Sequence, residues 1–201
     1  MDRHILKSLL VHHEGERLKA YKDSVGKWTI GVGRNLQDCG VSAEEKKVLC
    51  GQGNDLEKIK KPTGFYDWSK MVITHEQAML LLNRDIDTHM MDLVKAIPWF
   101  DRLDPVRQVV LVDMAFNMGV GTVSNDGSAG AHRGLMGFTN TLRMVKEGHY
   151  ATAAAAMLKS KWATQVGLLP GQRAHRLAWM MEHGTYEYPH GMPPAVKEVQ
   201  H

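Results

Sequence analysis

Cysteine is nearly absent from this chain: of 201 residues, only Cys39 and Cys50 carry a thiol. Two residues cannot supply the set of bridges that holds a small secreted scaffold together, so the fold has to rest on a packed core. The expected state is a pair of free thiols in a reduced compartment, with a redox-controlled bridge between these sequence neighbours as the alternative. Long apolar runs are missing as well. The opening stretch, MDRHILKSLLVHHEG, sets Ile5, Leu6, Leu9 and Leu10 at helical spacing but interrupts them with Lys7, His12 and His13. It is neither a secretory signal nor a membrane span, and no other segment approaches the roughly 20 apolar residues that a spanning helix needs. Accumulation in the cytoplasm is therefore expected. Charge of one sign is scarce too: 25 Lys and Arg against 22 Asp and Glu leave +3. That is too little for a nucleic-acid binder, though enough for mild attraction to anionic polymers. Finally, the 11 histidines fall at no metal-ligand spacing. Counted from His13, the position that would complete an HExxH zinc pattern is Arg17, and GVGRNL lacks the third glycine of a dinucleotide-binding turn. Neither a metal nor a cofactor is expected.

What is present reads as one globular domain of ordinary composition, 43% hydrophobic and 23% charged, long enough to bury a substantial core. Asp2 is placed to cap a first helix that runs to Glu14, and Gly15 supplies its stop. Between residues 17 and 34 the period changes to two, around the turn SVGK, which predicts a β-hairpin. Residues 35 to 72 read as irregular, with one short helix at 42 to 50. Thr74 and Gln77 form a capping-box pattern ahead of a long helix whose apolar positions, Ala78, Leu81, Leu82, Ile86, Met90, Leu93, Val94 and Ile97, persist until Pro98. Asp104 and Pro105 then provide a cap and a first-turn proline for VRQVVLVDMAF, a segment apolar on nearly every face and so expected at a domain centre. Further helices are predicted near 139 to 147, 149 to 160 and 171 to 183.

The most informative segment is EGERLKAYKDSVGKWTIGVG. Glu14 ends the first helix, Asp23 sits in the following turn and Thr29 lies on the next strand, so three polar side chains converge on one crevice. A carboxylic acid opposed by a second carboxylate is what cleavage of a sugar bond through an oxocarbenium-like state requires. With Gly15, Tyr21, Lys22, Gly26, Ile30, Gly31 and Gly33 in order, the segment resembles the catalytic segment of the T-even phage lysozyme family. ITHEQAMLLLNRDID (73 to 87), VRQVVLVDMAFNMG (106 to 119), GFTNTLRM (137 to 144) and LKSKW (158 to 162) follow in that family's order, so the resemblance covers most of the chain.

The resemblance implies an α+β, predominantly helical, lysozyme-like fold in two lobes. A single catalytic domain would span 1–188: a small β-containing N-terminal lobe at about 15–73, a connecting helix at about 74–97, and a helical C-terminal lobe at about 98–188 that takes in helix 2–14. Residues 189–201, with Pro189, Pro193 and Pro194, would form a flexible tail. It further implies an endolysin, made in the host cytoplasm, that hydrolyses the β-1,4 bond between N-acetylmuramic acid and N-acetylglucosamine in the glycan strands of peptidoglycan. Metal and cofactor are not needed, the enzyme is monomeric, and a separate holin-like membrane permeabiliser gives it access to the wall. The lack of a second wall-binding domain suits a host with thin peptidoglycan.

Carried over residue by residue, the resemblance makes Glu14 the general acid, where the negative end of the helix dipole favours the protonated donor. Arg173, in QRAHR, matches the arginine that pairs with this glutamate and favours its ionised form. Asp23 is the second carboxylate and Thr29 helps it to hold the attacking water. Use of the pair for inversion predicts carboxyl groups about 6.5 to 9.5 Å apart, against about 5 to 5.5 Å in a retaining enzyme. Phe116 and Asn117 match the cleft-facing end of the central helix, Asn117 standing where the family has glutamine, and Leu36 matches the cleft floor. For Leu36 and Phe116 ordinary core packing is an equally open reading. Arg34 and Asp85 match a structural ion pair whose basic member is histidine in the type protein, and a guanidinium makes it less sensitive to pH. His13 replaces an acidic residue. The glycine-rich 119–136 departs from the family and is read either as a tolerated exposed loop or as a flap with His132 and Arg133 as contacts.

Two rivals remain at this level. A lytic transglycosylase also uses a catalytic glutamate but closes an anhydro ring without a second carboxylate. A wall-binding or baseplate module would keep the fold without turnover.

Overall fold

In the computed structural model, which describes residues 1–51, 56–121 and 134–196, helices predominate and one small sheet lies near the N-terminus. The described residues fall into two compact units, one of Met1–Leu9 with Ile86–Val196 and one of Leu10–Asp85.

The chain opens with α1 (Arg3–Glu14). Asp2 Oδ1 accepts the His4 and Ile5 amides at 3.0 Å each, as its place ahead of the helix predicts. Gly15 ends the helix at φ +74°, its amide bonded to Val11 O at 2.9 Å. The smaller unit then builds an antiparallel sheet in the order β1 (Arg17–Lys22), β2 (Trp28–Gly31), β3 (Arg34–Asn35). Tyr21 faces Thr29 and Arg17 faces Gly31, with a bulge between the two pairs. The predicted hairpin is thus a three-stranded sheet, because Gly31 and Gly33, both at positive φ, turn the chain back on itself so that Arg34 pairs with Ile30. Next comes α2 (Ala43–Gly51), near the predicted short helix. Ala20, Ile30, Leu49, Met71, Ile73 and Leu81 form the core of this unit.

Thr74 and Gln77 form the reciprocal capping box: the Gln77 amide bonds Thr74 Oγ1 at 3.2 Å and the Thr74 amide bonds Gln77 Oε1 at 3.0 Å. Behind it runs α3 (His75–Ala96). In the larger unit Asp104 caps α4 (Pro105–Met118), accepting the Val106 and Arg107 amides at 3.0 and 3.1 Å. Seven consecutive residues of α4, Val109 to Ala115, are buried, as its apolar surface requires. Around it stand α5 (Thr139–Lys146), α6 (Tyr150–Leu158), α7 (Lys161–Val166) and α8 (Arg173–His183), with α6 against α5 and α8, and α4 against α8. Arg107 donates to the carbonyls of Met181 and Glu182 at 2.8 and 2.9 Å, satisfying the last turn of α8. The separate helix α7 was not foreseen. It begins because Ser160 Oγ accepts the Ala163 amide at 3.1 Å, restarting a helix after α6 has ended.

Both cysteines are exposed, free thiols. Past Tyr188 the described part of the expected tail makes contacts with the rest of its unit: the His190 ring lies 6.0 Å from that of His175, and the Val196 amide donates to Ser8 Oγ at 3.2 Å. His132, Arg133 and residues after 196 lie outside the described residues. Among the described residues no helix is long and apolar enough to cross a membrane.

Candidate active site

Glu14 closes α1. Opposite stands Gly33, at φ +71°, where a Cβ would sit 3.5 Å from both Cγ and Oε2 of Glu14. The bare backbone of Gly33 is therefore packed against the acid.

The β1–β2 turn sets the second carboxylate. Asp23 Oδ1 accepts the amides of Val25 and Lys27 at 3.0 and 2.9 Å, an Asx-type turn locked by Asp23 N to Lys27 O at 2.9 Å. With Oδ1 committed to the backbone, Oδ2 is left facing Thr29 Oγ1 at 3.4 Å. Thr29 lies only 4% exposed, and its hydroxyl also approaches Lys27 O at 3.3 Å. A hydroxyl has one proton and two lone pairs, so it can donate to either oxygen and still accept from a water.

Tyr21 joins the two carboxylates into one neighbourhood. It is the cross-strand partner of Thr29, and the Arg17 guanidinium stands 4.2 Å over its ring. Burial pushes the Tyr21 hydroxyl above its usual pKa, Arg17 opposes this, and Glu14 and Asp23 both add to the rise. One phenol thus senses both acids. Its part was overlooked in the sequence, where Tyr21 counts only as a motif residue; its register opposite Thr29 is the signal that marks it.

Arg34 and Asp85 are hydrogen-bonded through Nη1 and Oδ1. The same guanidinium has a second acid, unnoticed in the sequence: Nη2 lies 3.2 and 3.0 Å from the two oxygens of Glu45 and 3.2 Å from Gly40 O. Glu45 is 3% exposed and closes a capping box with Ser42 at the start of α2. The pattern Ser-Ala-Glu-Glu announces such a box, but not that its glutamate would be shared with Arg34. Burial, opposed by Arg34 and reinforced by Glu45, pushes the Asp85 carboxyl up to about 6. Two buried carboxylates on one guanidinium leave an uncompensated charge, so one acid holds its proton more readily.

Leu36 lies in the smaller unit. It is 1% exposed and part of that unit's core, and its amide donates to Trp28 O at 2.8 Å.

Phe116, Asn117 and Arg173 belong to the larger unit. Phe116 is half-buried with its ring 5.2 Å from that of His89, and exposed Asn117 accepts Trp162 Nε1 at 2.9 Å. Arg173 donates through Nε to Asp113 Oδ1 at 2.8 Å and through Nη2 to Asp113 O at 3.0 Å, with Asp113 fully buried. Asp113 was also overlooked. Its signal is a lone acid in the apolar run VVLVDMAF, since a carboxylate cannot be buried without a partner.

A predominantly helical fold with a small N-terminal sheet, with Glu14 at the end of α1 and Asp23 and Thr29 about the β1–β2 turn, is that of a lysozyme, a glycosidase that acts on peptidoglycan. The chain belongs to the phage lysozyme family, which it matches over residues 11–178. It is 26% identical over 183 residues to probable T4-type lysozyme 2 of Dictyostelium discoideum, covering 90% of this chain and 95% of that protein. Probable T4-type lysozyme 1 of the same organism is 25% identical over 189 residues, with the same coverage. The pre-baseplate central spike protein Gp5 of Enterobacteria phage T4 is 29% identical over 181 residues, 89% of this chain but 28% of that longer protein.

Proposed function

We propose that this lysozyme is a phage endolysin that hydrolyses the β-1,4 bond between N-acetylmuramic acid and N-acetylglucosamine with inversion. The observation that carries the reading is Thr29 Oγ1 standing 3.4 Å from the Asp23 oxygen that the turn leaves off the backbone, with Glu14 packed against Gly33. Glu14 gives its proton to the glycosidic oxygen as the bond to the anomeric carbon breaks. Water held by Asp23 and Thr29 attacks that carbon from the opposite face and passes its proton to Asp23, leaving a reducing sugar of inverted configuration. Phe116 and Asn117 contact the glycan. The enzyme acts as a monomer and waits in the host cytoplasm for a holin-like permeabiliser.

The decisive variant is Glu14→Gln, which keeps the shape and removes the proton. Clearing of purified peptidoglycan should vanish while circular dichroism and melting temperature stay unchanged; near-normal turnover would sink the mechanism. Proton NMR of freshly released reducing ends tests stereochemistry, the α anomer supporting inversion and the β anomer refuting it. Product masses test hydrolysis: a reducing end one water heavier than the anhydro sugar is expected, and the anhydro product would mean a transglycosylase. Lysis of expressing cells only after the inner membrane is permeabilised is the expected cellular result, and lysis with the membrane intact would refute the dependence.

A further inference from the structure

Residues 58–70, KIKKPTGFYDWSK, form a feature that the reaction does not use. Lys60 bridges to Tyr66, the Lys61 amide donates to Phe65 O at 2.7 Å, and the Gly64 amide donates to Lys61 O at 2.9 Å with Gly64 at φ +86°. The result is a tight hairpin with Pro62, Thr63 and Gly64 at its tip. Its base is fixed: Ile59, Tyr66 and Trp68 pack on the core of the smaller unit, with the Tyr66 and Trp68 rings stacked 4.9 Å apart. At its end Phe65 is 77% exposed, the most exposed of the large hydrophobic side chains described.

A single exposed apolar residue is ordinary. Here, however, the turn chemistry is met by Pro62 and Gly64 and the packing by Tyr66 and Trp68, so the fold has no use for an aromatic ring at position 65. Lysines flank it in sequence. Lys58, Lys60, Lys61 and Lys70 are all exposed, and Lys46 Nζ stands 4.6 Å from the Tyr66 ring. The acids among them are Glu57, bonded to Lys60 at 3.3 Å, and Asp67, 3.5 Å from Lys70, so the segment keeps an excess of positive charge. An exposed phenylalanine in a lysine-rich hairpin, with Tyr and Trp packed at its base, has the chemistry of an interfacial anchor: the ring enters the acyl boundary while ammonium groups stay among anionic headgroups. Because the hairpin is already held by the core, ordering it on binding costs little. A second copy of the chain would bring the same lysines against each other, and an acidic protein surface offers no depth for the ring.

We propose that the 58–70 hairpin is a docking surface for a bilayer carrying anionic phospholipid headgroups, with Phe65 as the inserted residue and Lys58, Lys60 and Lys61 as the headgroup contacts. The proposal is independent of the catalytic reading.

Co-sedimentation of the full chain with vesicles of phosphatidylcholine alone, or mixed with phosphatidylglycerol, tests it. Binding is expected to the mixed vesicles only and should weaken as salt is raised. Phe65→Ala should lower the partition coefficient several-fold, and Lys60→Gln and Lys61→Gln about fivefold each. Circular dichroism and clearing of isolated peptidoglycan should stay at wild-type level in all three variants, which separates loss of docking from loss of folding or catalysis. Equal binding to both vesicle types, no binding to either, or variants that bind like wild type would overturn the proposal. So would variants that lose affinity for lipid-free peptidoglycan or for an acidic polypeptide while keeping it for vesicles.

Discussion

In the proposed mechanism Thr29 acts through one hydroxyl held almost out of solvent. Its oxygen stands between Asp23 Oδ2 and Lys27 O at 3.4 and 3.3 Å, two acceptors competing for a single proton, which leaves a lone pair to receive a hydrogen bond from water. Thr29→Ala should lower kcat/KM on soluble glycan by about two orders of magnitude or more, whereas Thr29→Ser should retain most of it. If alanine and serine behave alike, the hydroxyl is not what holds the water. Asp113 offers a stability test at the same scale. Asp113→Ala takes a buried carboxylate from Arg173, itself 6% exposed, and is expected to cost about 3 kcal/mol in urea unfolding, in the range for breaking a buried pair. Neither role shows in the identity of the residue alone, since an aspartate in an apolar run says only that some cation must come to it.

Elements were legible wherever their ends are written locally. Asp2, Thr74 with Gln77, and Asp104 each cap a helix through residues no more than three positions away, and all three bonds stand as their patterns predict. The cap at Asp104 can be titrated. Burial works against its charge, but hydrogen bonds from Arg107 and the Val106 amide prevail and hold the carboxyl below its ordinary range. Its contribution is therefore complete above that range and lost as the pH falls through the lowered value. Asp104→Ala should cost about 1 kcal/mol of stability at neutral pH, and the gap to wild type should close in acid; a gap that widens would contradict the assignment. By contrast, β3 and α7 were missed, one because a two-residue strand has no period to read, the other because Ser160 looks like a helix interior until its hydroxyl is seen accepting the Ala163 amide. Gly33 belongs to this scale too. Gly33→Ala forces a left-handed backbone on alanine and puts a methyl group 3.5 Å from Glu14, so stability should fall by about 1 kcal/mol with a disproportionate loss of activity.

For the molecule as a whole, pH enters through the buried set of Arg34, Asp85 and Glu45. Asp85 titrates at about 6 when folded and near 3.8 otherwise, so the native state binds a proton more tightly between those values. The stability this group lends is full below the lower value and lost as pH rises through the upper one. Melting curves of wild type and Asp85→Asn across pH 4 to 7, about the span of the two values, should show wild type declining relative to the variant as pH rises. A wild type that gains on the variant over that range would reverse the sign of the argument.

What the sequence determined by itself is what lies within a turn or two of chain: helix caps, apolar periods, and the setting of Asp23 and Thr29 about one short turn. Such contacts depend on spacing and backbone geometry, which the order of residues already contains. Only the tertiary structure decided that Arg34 divides its guanidinium between Glu45 and Asp85, which lie 11 and 51 positions away, and that Asp113 meets Arg173 across 60 positions. A buried charge or an apolar side chain fixes that it must have neighbours, but which neighbours it finds depends on how distant segments are brought together.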